Sequence, residues 1–230
     1  MMTHIIRITL STALLYLALS SVLQAQSEYK LRTFDAISVS GNIQLTLQQG
    51  DEEKATVVYH GEKEEKLNIH VSGNELKISL LHTIAKREER AEIVITYRTL
   101  RTVRAHAGAT VSSPHIISGD KLNLRATSGA KLNLDIKTNA LEGSATEGGM
   151  VQLRGTTESQ SANAATGGEY NALDVSSKRT FARASTGGVA RVFALEEIDA
   201  SANLGGTVEY KGDPDMRYRR TFIGGDVRKL

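Results

Sequence analysis

Two stretches with the same outline, "ATSGAKLNL" (residues 126–134) and "ATEGGMVQL" (residues 145–153), decide how this chain is organised. Each begins with alanine, reaches a glycine three residues later, and continues with apolar residues that alternate with polar ones. The pattern Ala-x-x-Gly followed by Ala or Gly occurs six times, and its leading alanines are 18 to 21 residues apart: Ala105, Ala126, Ala145, Ala164, Ala184 and Ala202. Such a period indicates a repeat architecture rather than a set of unrelated loops.

The residues on both sides of the motif favour β-strands. Leu122 and Leu124 alternate with polar residues before the second copy, and Leu132 and Leu134 do so after it. A period of two is typical of strands, so each repeat contains a strand, a bend and a second strand. We therefore predict an all-β protein with a parallel β-helix-like solenoid of about six glycine-marked coils, stacked about 4.8 Å apart. The alternative is an up-and-down antiparallel sheet in which each glycine motif is a hairpin turn, and the direction of strand pairing distinguishes the two.

In the solenoid, small side chains are expected to point inward where two sheets converge at a corner, and the following glycine permits the bend through positive φ or close backbone approach. The predicted structural ladders are Ala126, Ala145, Ala164, Ala184 and Ala202, with Gly129, Gly148, Gly167, Gly187 and Gly205. Polar residues beside these ladders form a candidate binding face: Thr127, Thr146, Asn163, Thr166, Thr186 and Asn203. Hydroxyl and amide groups of this kind can bind a glycan or a protein, and they are equally typical of a solvated sheet face.

Residues 1–25 differ from the rest, since a lone Arg7 precedes a short apolar run that ends in small and polar residues at Ala25. This layout predicts a signal peptide and export to the periplasm, the outer-membrane surface or the medium, with no integral membrane span after cleavage. The alternative is a retained N-terminal anchor helix. Residues 26–230 are expected to form a single β domain, with N-terminal strands (27–98), repeat coils (99–211) and a C-terminal cap (212–230). The N-terminal strands contain "VSGN" twice, and each copy is expected to join two strands through a tight turn.

The sequence offers little for catalysis. There is no cysteine, which excludes disulfides and thiol chemistry, and the formal net charge of +2 gives no reason to expect a nucleic-acid partner. The histidines lack metal-binding spacing, and neither a nucleophile elbow nor a phosphate-binding loop is present. No catalytic residue, cofactor or metal site is predicted. Five acidic residues near the repeats are expected to occupy different ladders and so to form no common site: Asp135, Glu147, Glu169, Asp174 and Glu196.

Three segments together resemble a known family. They are "FDAISVSGNIQLTLQQG" (34–50), "VSGNELKISL" (71–80) and "VEYKGDPDMRYRRTFIGGDVR" (208–228), with the glycine-marked repeats between the last two. The chain is similar in this combination, from about Thr33 to Arg228, to the bacterial family of putative autotransporter adhesins with a head GIN domain. The resemblance implies a right-handed β-helix-like fold, and it implies no catalytic residue and no established ligand.

We accordingly expect an exported, non-catalytic module of the cell envelope or surface, of the adhesin type, that uses an exposed solenoid face for binding or structure. The expected partner is an envelope glycan or protein, and the solenoid ends offer a route to an oligomer. Two alternatives stay open at this point: a glycan-active β-helix enzyme, which needs clustered carboxylates, and an envelope scaffold assembled end to end. The run Arg217, Arg219 and Arg220 suits a charged cap, with a basic binding patch as the other interpretation.

Overall fold

The computed structural model describes residues 26–60, 66–81 and 90–230, so the predicted signal peptide lies outside the described residues. The described part contains seventeen strands in one continuous sheet and no helix. The strands are β1 (Gln26–Lys30), β2 (Ala36–Ser40), β3 (Ile43–Gln49), β4 (Lys54–His60), β5 (Leu67–Ser72), β6 (Glu75–Leu80), β7 (Arg90–Tyr97), β8 (Thr102–His106), β9 (Thr110–Ser112), β10 (Ile117–Thr127), β11 (Lys131–Thr146), β12 (Met150–Ala165), β13 (Glu169–Ser185), β14 (Val189–Asn203), β15 (Thr207–Lys211), β16 (Met216–Phe222) and β17 (Asp226–Lys229).

Successive coils stack in parallel. Ala126 pairs with Ala145, Ala145 with Ala164, and the same register continues through Ala184 to Ala202. The predicted β-solenoid is therefore confirmed, and the antiparallel hairpin alternative is excluded because the glycine turns join coils that pair in parallel. The coils number about seven rather than six, since the sequence "FIGG" (222–225) forms one more turn of the same type.

Each coil contributes to two faces of the solenoid. Segments that follow a glycine turn stack into one sheet, called the following face, and comprise residues 131–137, 150–156, 169–175, 189–193, 207–211 and 226–229. Segments that precede the next turn form the preceding face and comprise residues 121–126, 140–145, 159–164, 179–184, 197–202 and 216–221. On both faces, buried and more exposed residues alternate, so one side of each sheet covers the core and the other faces solvent.

The glycine corner depends on two different properties of its residues. The alanine is buried, and the two residues at the tip of the turn both have positive φ, as in Thr166 (50°) and Gly167 (68°). The residue after the tip is a second glycine in the later coils, and it is required for another reason. A Cβ on Gly168 would lie 2.2 Å from the carbonyl oxygen of Ala145, well inside van der Waals contact. The first glycine thus permits the bend and the second permits close coil stacking.

At the opposite bend, three buried hydroxyl side chains form a ladder. Thr138 pairs with Thr157, and Thr157 pairs with Ser177. The Thr157 hydroxyl donates to the carbonyls of Ser159 (3.0 Å) and, more weakly, of Asn139 in the preceding coil (3.3 Å). These hydroxyls satisfy carbonyls that the bend removes from the regular strand ladder, which explains polar residues inside an aliphatic core.

The N-terminal strands close one end of the solenoid. β2 and β3 continue the parallel stack, because Val39 pairs with Ala105 and Leu45 with Val111. Antiparallel strands then terminate both faces: β5 pairs with β6 on one, and β4 and β1 extend β7 on the other. The first "VSGN" is consequently a coil corner, and the second is a hairpin turn.

The segment predicted as a C-terminal cap is built as a final coil. β16 stacks in parallel on β14, and β17 stacks on β15. Arg217 and Arg219 take the register positions that the buried Ile198 and Ala200 hold in the coil before. Charged residues at inward positions oppose the addition of a further strand, which is a recognised protection of exposed sheet edges.

Candidate functional site

The six residues of the candidate binding face lie at the glycine corner but do not share one ladder. Asn163 precedes an inward alanine, Thr166 and Thr186 form turn tips, and the others directly follow an alanine: Thr127, Thr146 and Asn203. Asn163, Thr166 and Thr186 are exposed, whereas the remaining three are half-buried. These six residues therefore form no continuous column of groups along the corner.

Backbone donors at this corner are already used. The Gly148 N–H donates to the Thr166 carbonyl (3.2 Å), and the Gly167 N–H donates to the Thr186 carbonyl (3.1 Å). Consecutive N–H groups in a positive-φ turn form an anion-binding nest only when they are free. These hydrogen bonds link each turn to the next coil, so the backbone groups of the corner stabilise the stacking of the coils.

A cavity of about 740 Å³ lies where the N-terminal strands meet the first coils. Its charged groups are largely paired inside the protein: Lys121 lies 2.7 Å from Glu142, and Asn139 donates to Asp120 at 2.7 Å. The hydrogen bond from Lys121 lowers the pKa of the Glu142 carboxyl below its usual value. This cleft is polar, and few of its charged groups are left for a ligand.

A smaller cavity, about 340 Å³, shares Arg98 with the first. Glu53 lines it with a side chain only 4% exposed, and Arg98 Nε lies 3.3 Å from Glu53 Oε2. The other carboxylate oxygen of Glu53 has no hydrogen-bond partner within the described ranges. That oxygen is closed to solvent, so it is not presented to a ligand in this structure.

The acidic residues near the repeats are arranged differently from the prediction. Asp135 pairs in register with Arg154, and Arg154 with Asp174, so two of the five share one ladder on the following face. The prediction of separate ladders is wrong for these two because the pairing of β12 with β13 shifts register between Gln152 and Arg154. The side chains of Asp135, Arg154 and Asp174 are exposed on an open sheet and line neither cavity. This arrangement is typical of a row of charges on a protein surface and not of a catalytic site.

The following face carries a second, denser ion ladder in its later coils. Arg191 bridges Glu169 and Glu209, and Arg228 also pairs with Glu209. The hydrogen bonds from Arg228, and then from Arg191, hold the pKa of the Glu209 carboxyl below its usual value. These four charged groups of the later coils are thus engaged with one another.

The preceding face differs, because its later coils expose groups without partners. Arg179, Phe181 and Arg183 alternate along β13 and are all exposed. Neither guanidinium makes a hydrogen bond or an ion pair within the described part of the chain. Sequence reasoning missed these residues, although their signal was present: "RTFARAS" (179–185) alternates large outward residues with small inward ones just before a glycine motif.

The ladder of Phe181 continues into the last coils. Phe181 pairs with Asp199, and Asp199 pairs with Tyr218, so one outward column contains two aromatic rings separated by a carboxylate. Asp199 accepts a hydrogen bond from Arg220 at 2.5 Å. We call Arg179, Phe181, Arg183, Asp199 and Tyr218 the aromatic–arginine strip.

Residues 33–214 match the model of the family described as "Putative auto-transporter adhesin, head GIN domain". Comparison with curated proteins gives no match. No helix suited in length and apolarity to cross a bilayer is found among the described residues.

Three solved structures share the fold. A putative adhesin from Bacteroides fragilis is 18% identical, with a TM-score of 0.78 over 89% of this chain and 96% of that one. A putative adhesin from Parabacteroides merdae is 18% identical, with a TM-score of 0.70 over 90% and 95% of the two chains. A putative lipid binding protein from Parabacteroides distasonis is 19% identical, with a TM-score of 0.69 over 89% and 96%. At these identities the similarity establishes the fold alone.

Proposed function

We propose that this chain is an exported, non-catalytic binding module of the cell envelope or surface. It belongs to the putative auto-transporter adhesin, head GIN domain family. Binding takes place on the preceding face of the solenoid. The observation that carries this proposal is a grouping: Arg179 and Arg183, which have no partners within the described residues, flank the exposed Phe181, whereas the arginines of the later following face, Arg191 and Arg228, are paired with Glu169 and Glu209.

The architecture suits recognition of an extended partner. Each coil is hydrogen-bonded to the coils on either side, so outward residues are held at fixed spacing along the axis. A rigid backbone of this kind lowers the ordering cost of binding, because the positions from which the side chains project are fixed before the ligand arrives. Exposed polar residues in the middle coils, Ser161 and Asn163, extend the strip without introducing opposing charge.

The two alternative functions fit the structure less well. A glycan-active enzyme needs a pair of carboxylates that flank the bound substrate in a cleft, whereas Asp135 and Asp174 stand on an open sheet. End-to-end assembly would place Arg217 and Arg219 against a partner's core positions, where burial of unpaired charge is costly. Both observations favour a binding module over these alternatives.

The test is capture of envelope material by the purified protein, combined with a glycan array. The informative variant replaces three exposed residues of the strip, Arg179→Ser, Phe181→Thr and Arg183→Ser. The matched control replaces two exposed residues of the following face, Met150→Thr and Arg154→Ser. We expect the strip variant to lose the ligand and the control to retain it, with unchanged melting temperatures in both. Absence of any ligand for the unmodified protein, or loss in the control alone, would overturn the proposal.

A further inference from the structure

We infer that the aromatic–arginine strip binds an acidic polysaccharide that lies extended along the solenoid axis. This inference rests on the proposed binding function and names its ligand class. The strip runs through the last three coils of the preceding face, where two aromatic side chains, two free guanidinium groups and the Asp199 carboxylate lie on one outward surface.

The exposed aromatic residues are concentrated in this region. Among the described residues, the exposed Phe and Tyr side chains are Tyr29, Phe181, Tyr218 and Phe222, and the last three belong to the final coils of the preceding side. Phe181 is 42% exposed and Tyr218 is 54% exposed. Apolar side chains grouped on one surface, unlike scattered ones, are a mark of interaction sites. The clustering therefore indicates contact with a partner.

The spacing of the two rings suits a chain and not a single small molecule. Phe181 and Tyr218 stand in one ladder, two coils apart, with Asp199 between them. Since coils stack at about 4.8 Å, the two ring positions are about 10 Å apart along the axis. Each ring offers a flat, electron-rich face, which attracts the slightly positive C–H groups on the flat side of a sugar ring. Two such platforms in line would hold alternate parts of an extended polysaccharide.

The charges of the strip select for acid groups. Arg179 and Arg183 lie two residues to either side of Phe181, which places each about 7 Å from it along the strand. A free guanidinium binds carboxylate or sulfate through two parallel hydrogen bonds. Asp199 is already occupied by Arg220, so it adds little opposing charge, and Glu197, next to Arg179 in its ladder, makes no ion pair with it in the described structure. The strip thus has an excess of guanidinium groups at the positions nearest to its central ring.

A lipid surface is the main competing ligand. Leu204 and Ile223 are exposed at neighbouring turn tips, beside Phe222, and these apolar groups would suit acyl chains. They occupy the rim of the solenoid, however, and not the strip between Arg179 and Arg183. Variants can therefore separate the two sites: Arg179→Gln with Arg183→Gln for the strip, and Leu204→Ser with Ile223→Ser for the rim.

The experiment measures binding of the purified protein to a polyuronate, to the same polymer after methyl esterification, and to vesicles that contain anionic phospholipid. We expect binding to the polyuronate only, and a loss of about tenfold or more in affinity for the strip variant, because arginine is enriched among the residues that contribute most to binding. A Phe181→Ala variant should weaken binding to a similar extent without altering net charge. The control, Lys131→Gln with Arg154→Gln, removes the same charge from the following face and should leave affinity unchanged.

Each contrary outcome has a distinct meaning. Equal binding to the esterified polymer, equal loss in the control, or binding to vesicles alone would overturn the inference. If none of the three probes binds but envelope material is still captured through the strip, the acidic-glycan inference fails and the proposed function stands. If envelope capture is absent as well, both fail.

Discussion

The tetrapeptide Val-Ser-Gly-Asn occurs at residues 39–42 and again at residues 71–74, and the two copies form different turns. In the first copy, the strands on either side find parallel partners in other coils, so the turn is a corner of the solenoid. In the second, the flanking strands pair with each other in antiparallel fashion, and Ser72 lies opposite Glu75. Identical residues thus supply a turn but do not decide which strands pair across it.

The two glycines of these copies experience different surroundings. Gly41 has φ of 101°, and a Cβ there would lie 2.6 Å from the carbonyl oxygen of Leu80. Gly73 has φ of 60°, and a Cβ there would meet nothing within 4 Å. A corner packs its backbone against neighbouring strands, whereas a hairpin turn projects into solvent. Glycine is needed for close approach in the corner and only for conformation in the hairpin.

The largest effect is expected where this close approach occurs within the glycine corner of the repeats. Gly168→Ala forces a methyl group against the backbone of Ala145, which cannot yield as a flexible side chain could, and should lower the free energy of unfolding by about 3 kcal/mol or more. Its neighbour Gly167 provides the control, because Gly167→Ala incurs only the cost of positive φ, about 1–2 kcal/mol. Urea unfolding curves of the two variants measure the difference. Equal destabilisation would contradict the assignment of separate roles to the two glycines.

The two tetrapeptides allow the same contrast outside the repeats. Gly41→Ala and Gly73→Ala share the cost of positive φ, but only the former adds a backbone overlap, so it should be the more destabilising by about 1–3 kcal/mol. Thermal unfolding monitored by circular dichroism gives the ranking. A larger loss for Gly73→Ala would show that the hairpin, not the corner, controls the stability of this end.

The bend opposite the glycine corner is stabilised by buried hydroxyl groups in place of glycines. Thr157→Val keeps the shape of the side chain but removes a hydroxyl that donates to backbone carbonyls, and should cost about 1–2 kcal/mol. Thr156→Val on the exposed side of the same strand should change stability by less than about 0.5 kcal/mol. Chemical denaturation of both variants measures the two changes in stability. An equal effect would show that the buried hydroxyls do not stabilise the bend.

The coils could be predicted from the sequence because one local pattern, a strand, a glycine bend and a second strand, recurs about every 20 residues. Each copy supports the assignment of the others. The sequence does not carry the pairing of the two "VSGN" turns, which depends on partners far along the chain. Nor does it reveal that Asp174 joins Asp135 in one ladder, since a single extra residue in β13 changes the register. The strip at Phe181 is visible as alternation, but only the stacked coils place it in line with Tyr218. The sequence pattern alone therefore does not determine the register between strands that lie far apart along the chain.

The smallest effect concerns the tip of the corner, where the chain tolerates strain that a hairpin turn would relieve with glycine or asparagine. Thr166 has φ of 50°, which is unfavourable for a β-branched residue, and its side chain is exposed. This left-handed conformation is maintained because the Thr166 carbonyl accepts a hydrogen bond from the Gly148 N–H in the coil before. Thr166→Asn keeps that carbonyl and tolerates the left-handed region better, so it should raise the free energy of unfolding by about 0.5 kcal/mol. Asn163→Thr, on the neighbouring extended segment, is the reverse exchange and should be nearly neutral or slightly stabilising because threonine favours strands. If Thr166→Asn instead lowered the urea midpoint, the threonine side chain would be making a stabilising contribution at the turn tip that outweighs its backbone strain.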